Sequence, residues 1–203
     1  MAGRTVQVSG IILKKEPSGE LFFRLYLLSP AQGSVMAMLR RPQRSSNSPL
    51  PDLFDQTEIV LEQKEDSSFG FVKELKILKQ RRGLAKSFIA LELACELATI
   101  LLKNSPKETA AESTFQLLER GLQAWEKRQN PEAVFFKCLF VFARDEGYPI
   151  KHDWFEKLSH HDRVEVASIL NIPTAALDLK PEVVRKWNDQ LKHYVQHYTD
   201  ILL

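Results

Sequence analysis

Three residues of one short stretch, Phe22, Arg24 and Tyr26, alternate with the apolar Leu21, Phe23, Leu25 and Leu27. Side chains two apart on a strand share a face. The odd set therefore reads as core, and the even set as an aromatic, guanidinium, aromatic row turned the other way. Such a row suits single-stranded nucleic acid, because rings stack on bases at about 1 to 3 kcal/mol each and the cation meets phosphate. The same two rings would serve equally to pack against a neighbouring domain. A second set of cations comprises Lys14 and Lys15 at the end of the preceding apolar stretch, and Arg40, Arg41 and Arg44 leading into a stretch rich in proline and serine. Arg81 and Arg82 follow a cluster of lysines. Grouped cations bind phosphate without reading sequence and lose affinity as salt rises. A solvated basic surface is the plain alternative for any one of them.

Other constellations fall short of chemistry. His193 and His197 stand four apart, the spacing of helical zinc sites, but Tyr194-Val195-Gln196 between them lacks the glutamate of a metalloprotease helix and no third ligand is evident. His160 and His161 beside Asp162 read as a polar turn. The chain has no phosphate-binding glycine loop, no dinucleotide fingerprint and no nucleophile elbow. Cys95 and Cys138 lie in the apolar stretches LELACELATILL and FFKCLFVF, where a thiol acts as a small hydrophobe. The pairs Glu65-Asp66 and Asp145-Glu146 read as solvated groups at a turn and a helix end. The expectation is a non-enzyme without metal or cofactor, with neither a membrane nor a small-molecule substrate as partner.

Two kinds of element must position these residues. From Thr5 to about Leu78 the pattern alternates with period two and marks five strands: Val6 to Lys14, Leu21 to Leu28, Ser34 to Arg40, Glu58 to Gln63 and Phe69 to Leu78. Lys15-Glu16-Pro17-Ser18-Gly19 and Ser29-Pro30-Ala31-Gln32-Gly33 carry turn chemistry, and Arg41 to Phe54 reads as an exposed loop. Five strands so spaced fit a small barrel of the OB type, though an open meander would leave a similar trace. After Arg81-Arg82-Gly83 the period becomes helical. Leu84, Phe88, Leu91, Cys95, Ala98 and Leu102 form one stripe, and the helix ends near Asn104-Ser105-Pro106. Phe115, Leu118, Leu122 and Trp125 form a second stripe on a helix from Ala110 to Arg128. Asn130-Pro131 opens a third helix, apolar over most of its circumference, that stops at Gly147 and belongs at the centre of its domain. Shorter pieces run from Asp153 to Leu158 and His161 to Leu170. A last helix begins at Pro181 with Val184, Trp187, Leu191, Tyr194, Tyr198 and Leu202 inward. The predicted fold class is α+β, with a five-stranded OB-type barrel over 1–82 and an all-helical domain over 83–203.

Composition agrees with a globular chain: of 203 residues, 44% are hydrophobic and 27% charged. Lys and Arg number 28 against 26 Asp and Glu, a net charge of +2, so any nucleic-acid partner must be recognised by where charge sits. No segment has the order of a secretory signal, and no apolar run approaches the roughly 18 to 20 residues needed to span a bilayer. A cytoplasmic location is expected.

The order of these features resembles the RecO family of bacterial DNA repair proteins over nearly the whole chain. In VSGIILKKEPSGELFFRLYLLSPAQGSVMAMLRR, an apolar strand ends in basic residues, Gly19-Glu20 leads into the second strand, and the Gly33 turn precedes a third that runs into a basic loop. Leu53-Phe54 approximates the family's step before strand four, and LAKSFIALELACELATILL is similar to its first long helix. STFQLLERGLQAW and AVFFKCLFVFARDEGYP match its later helical pattern. Many members follow the glycine-proline step with two cysteine pairs that form a zinc module. Here Gly147-Tyr148-Pro149 is followed by IKHDWFEKLSHHD, without cysteine. The resemblance implies a recombination mediator located at the nucleoid. It would bind single- and double-stranded DNA, anneal complementary strands and help load recombinase. Its implied protein partners are a RecR-like protein and the acidic, apolar C-terminal tail of single-stranded-DNA-binding protein, the latter on the helical domain. A scaffold of the same architecture that binds those proteins without appreciable DNA affinity is the alternative.

Overall fold

The computed structural model describes residues 4–42, 50–64, 67–104, 108–127 and 129–203. The expected positions of Arg44, the Glu65-Asp66 turn, the Ser105-Pro106 helix end and Arg128 lie outside these. The fold is α+β. Five strands come first: β1 (Arg4–Ser18), β2 (Phe22–Ser29), β3 (Gly33–Arg40), β4 (Gln56–Gln63) and β5 (Phe69–Lys79). Six α-helices follow among the described residues: α1 (Phe88–Asn104), α2 (Glu108–Glu126), α3 (Pro131–Asp145), α4 (Ile150–Asp153), α5 (His160–Asn171) and α6 (Pro181–Tyr198). The chain divides into two compact units, Met1–Arg81 with Ser105–Gln116, and Arg82–Asn104 with Leu117–Leu203. Against the expected 1–82 and 83–203, Arg82 groups with the helices and the first part of α2 groups with the strands.

The sheet closes on itself in the order β1-β2-β3-β5-β4, with β3 and β5 parallel and the other neighbouring pairs antiparallel. Its interior is filled by Val8, Ile12, Leu25, Leu27, Ala37, Ile59 and Leu61. Burying each large aliphatic side chain contributes about 1.5 to 3 kcal/mol. Alternation in β2, β3 and β4 delivers this set directly, but β1 needs a correction on the way. Its even residues point inward as far as Ile12, and an uninterrupted strand would drive Lys14 into the core. Instead the register shifts between Ile12 and Lys14, so that Lys14 pairs with Tyr26 and Glu16 with Arg24. A bulge of this kind changes which residues share a face. It turns Lys14 and Glu16 outward.

Three expectations for this unit are corrected. Lys15 to Ser18 are strand, not turn, and the turn is confined to Gly19-Glu20-Leu21, where Gly19 has φ 61°. Pro17 is tolerated because it pairs with Phe23 on one side while β4 leaves β1 beyond Ile11 on the other. Leu21 is not core but half exposed. The loop before β4 is not wholly exposed: Phe54 is 1% exposed and Asp55 4%. Phe54 adopts φ 66°, a conformation that disfavours a side chain, and its burial with a backbone hydrogen bond to the Ile12 carbonyl (2.8 Å) holds it there. The Asp55 carboxylate accepts from the backbone N–H groups of Asp52 (2.9 Å) and Arg81 (3.2 Å).

In the second unit α3 forms the centre, with Phe135, Phe136, Leu139 and Phe142 almost fully buried. Its start is set locally. Pro131 occupies the first turn and the Asn130 side chain accepts from the Ala133 N–H at 3.1 Å. Asn130→Ala is expected to lower unfolding free energy by about 1 kcal/mol, read from denaturant midpoints at unchanged slope. On α6, Asn188 donates to the Glu132 carbonyl and carboxylate, both at 3.0 Å, and Trp187 donates to Glu165 at 3.0 Å. Two inward faces differ from expectation. Phe88 is 78% exposed, because α1 buries Ala90, Leu93, Ala94, Leu97 and Leu101 instead. Tyr198 is 70% exposed and stacks on Tyr194 at 5.5 Å, while Leu202 lies beyond the helix end and is exposed.

Candidate nucleic-acid interface

The outward row of β2 is the middle of a wider face. Strand register places Tyr26 beside Met36 and Met36 beside Phe69; Arg24 beside Met38 and Met38 beside Phe71; and Phe22 beside Arg40. The rings continue from strand to strand: Phe22 meets Phe71 edge-on at 5.6 Å, and Phe71 meets Phe69 at 5.7 Å. Phe71 is 40% exposed and the other members are half-buried, apart from exposed Arg40. The result is a ledge of aromatic rings and methionine thioethers, with two arginines set among them. Met36, Met38, Phe69 and Phe71 were not among the expected residues. Their own period-two spacing was visible, but which strand they border depends on the parallel β3–β5 pairing between distant segments.

Glu16 governs the charge of this face. Its carboxylate accepts from Lys14 at 2.6 Å, from the Tyr26 hydroxyl at 3.1 Å and from Arg24 at 3.3 Å. The Lys14 hydrogen bond, with further help from Tyr26, holds the Glu16 carboxyl below its ordinary value. Lys14 is raised, chiefly by Glu16, and Arg24 is raised by the Tyr26 hydroxyl beside it and by Glu16. Two cations thus share one anion. A folded-state value below the unfolded one means that the contribution of Glu16 is present above the usual carboxylate range and is lost as pH falls through the lowered value. Acidification releases Lys14 and Arg24. Glu16→Gln should do the same at neutral pH: if this face binds single strands, the variant should bind a dT oligomer about three- to tenfold more tightly at low salt and lack the gain on acidification expected of the parent. Unchanged affinity in Glu16→Gln would mean that these cations do not meet the ligand.

The remaining expected residues do not all join this face. Lys15 and Arg41 flank the ring of Phe23, at 4.9 Å and 4.5 Å from its centroid. Lys15 donates to the Pro51 carbonyl at 2.9 Å and Arg41 to the Phe22 carbonyl at 3.1 Å. These two cations close one end of the sheet. Arg81 is only 3% exposed, so it offers no surface charge, whereas Arg82 is exposed. The Asp55 carboxylate accepts from the Arg81 backbone N–H and ties this residue to the loop before β4. Arg44 lies outside the described residues.

A second concavity belongs to the helical unit. A groove of about 450 Å³ is lined by apolar Leu117, Val134 and Val141 and rimmed by Arg120, Lys137 and Arg144. Its α2 wall approaches α3 closely: a Cβ on Gly121 would lie 3.0 Å from the Cys138 sulfur. Lys137 donates to the Ile172 carbonyl at 2.6 Å, and burial lowers its affinity for a proton. Cys138 is fully buried, its thiol pushed up to about 12 by burial, which leaves it inert as a nucleophile.

Among the described residues, no three His, Cys, Asp or Glu side chains gather as a metal set, and no helix is long and apolar enough to cross a membrane. The rings of His193 and His197 lie 4.1 Å apart, tilted by 35°, and His197 Nδ1 contacts the His193 carbonyl at 2.9 Å. No protein-family model and no curated protein matches the chain.

Proposed function

We propose that this chain is a RecO-like recombination mediator whose closed sheet is of the OB type and holds single-stranded DNA across the outer face of β2, β3 and β5. The observation that carries this reading is the continuous ring series Phe22, Phe71, Phe69 with Arg24 and Arg40 between the rings. Bases of any sequence have a π face to stack on such a ledge, and phosphates need only nearby cations. Stacked and neutralised, two like-charged strands can be brought together for annealing. Double-stranded DNA would meet the same cations with less use of the rings. Recombinase loading, a RecR-like partner and a place at the nucleoid belong to the same proposal, as does action without metal, cofactor or catalysis.

The test is fluorescence anisotropy of the full chain with labelled dT oligomer across a salt series. Lys14, Arg24 and Arg40 reach at most three phosphates and Glu16 offsets one of these cations, so log affinity should fall with log salt at a slope of about −1.4 to −2.1, at roughly 0.7 per phosphate for single strands. Absence of binding at low salt would overturn the reading. The second reading, a protein-binding scaffold without DNA affinity, is favoured by Glu16, which offsets one of the cations, and by the basic-rimmed apolar groove between α2 and α3. In both readings that groove takes the acidic, apolar C-terminal tail.

A further inference from the structure

The ring series Phe22, Phe71, Phe69 ends at an opening in the closed sheet. Phe69 and Met36, members of the outer face, also line a cavity of about 430 Å³ bounded by the start of β1, the β2–β3 turn, the end of β4 and the start of β5. We infer that this cavity is a nucleobase-binding slot at the end of the ledge. The inference rests on the single-strand reading above for how the base arrives, and on the cavity itself for what it accepts.

The floor is made by Val6, Val35 and Leu61, which face the interior, so the slot is apolar where the plane of a ring would lie. The rim is polar. Gln63 donates its amide to the Ser67 carbonyl, and Gln32 donates to the Gln7 carbonyl at 3.4 Å. Each carboxamide is thereby oriented and keeps an oxygen as acceptor and a second N–H as donor. Ser34 and Ser68 add exposed hydroxyls at the same rim. A flat heteroaromatic ring with donors and acceptors confined to its edge matches an apolar floor with a carboxamide and hydroxyl rim. Arg4, exposed at the rim, is the one cation lining the cavity among the described residues and suits the single phosphate attached to such a base. Gly70 keeps the slot narrow, since a Cβ there would meet the Leu61 Cβ at 2.9 Å. Stacking on the ledge tolerates any register, whereas one captured base would fix the strand in place and leave the neighbouring bases free to pair.

The test titrates the ¹⁵N-labelled full chain with deoxyadenosine monophosphate, with inorganic phosphate and, separately, with dT oligomer. The nucleotide should shift the amides of Ser34 to Met36 and Ser68 to Gly70 in a saturable way. Ser34→Trp, which fills the slot from an exposed position, and Gln63→Leu, which removes one edge partner, should each weaken that response at least tenfold. The rest of the spectrum should stay unchanged. Both variants should change dT affinity less than tenfold, because the ledge remains. Shifts confined to the ledge, a response that survives in both variants, or the same shifts with phosphate alone would overturn the slot. If dT binds while the nucleotide leaves the slot untouched, the slot fails and the ledge stands. If the nucleotide fills the slot but dT does not bind, the ledge fails and the slot stands.

Discussion

Phe22→Ala with Phe71→Ala is expected to weaken binding of a short dT oligomer by about 30-fold or more. Each ring lost removes about 1 to 3 kcal/mol of stacking, and about 1.4 kcal/mol is a factor of ten. The two rings touch at 5.6 Å, so removing both leaves neither stranded against an empty neighbour. They stand on the outer face, clear of the interior set of Leu25, Leu27, Ile59 and Leu61, and the melting temperature should move little. The slope of affinity against salt should not change, because no cation is removed. Arg24→Ala with Arg40→Ala supplies the contrast: a smaller loss at low salt, but a slope flatter by about 1.4, two phosphates at roughly 0.7 each. The two signatures separate stacking from neutralisation. A double ring variant that binds dT as the parent does would remove the ledge from consideration and leave the scaffold reading.

How much of this face could be read from the sequence depends on the range of the interactions that build it. Phe22, Arg24 and Tyr26 follow from alternation within a single strand, and the turns at Gly19 and Gly33, where φ is 61° and 68°, from the proline and glycine that mark them in the sequence. Glu16 was hidden in a segment with the composition of a turn. Only the shift of register between Ile12 and Lys14, fixed by packing on β2, brings its carboxylate to Arg24. The contribution of β5 was hidden for a different reason. Phe69 and Phe71 border β3 through a parallel pairing across some thirty intervening residues, and no local pattern encodes such a register. Arg81 read as surface because it stands in a basic tripeptide, yet the Asp55 carboxylate that fixes its backbone is 26 residues earlier. Among the helices, the amphipathic α2 and the capped α3 were legible. In α1 two apolar stripes satisfy the same spacing, but Glu92, Glu96, Thr99 and Lys103 mark the polar face, and the buried stripe of Ala90, Leu93, Ala94, Leu97 and Leu101 lies opposite it, a signal that the expected stripe passed over.

Arg120→Glu with Arg144→Glu should abolish binding of an acidic, apolar C-terminal peptide to the α2–α3 groove while leaving dT affinity unchanged. The groove offers Leu117, Val134 and Val141 to an apolar side chain and a basic rim to carboxylates. Arg120 and Arg144 are exposed, and Arg144 gives up only a surface ion pair with the neighbouring Asp145 (2.7 Å), so reversing them should spare the fold; Lys137, which holds the Ile172 carbonyl at 2.6 Å, is left in place. Charge-assisted hydrogen bonds contribute about 1.5 to 3 kcal/mol each, so losing two weakens the peptide about 100-fold or more before repulsion is counted. Replacing the peptide's terminal carboxylate by an amide should cost the parent protein about tenfold, the loss of one such bond, and cost the double variant far less. That non-additivity identifies the terminal carboxylate as the group the arginines hold. Peptide binding that survives the double reversal would place the tail elsewhere. Parallel loss of dT affinity would mean that the helical cations also bind phosphate, and the division of labour between sheet and helices would have to be redrawn.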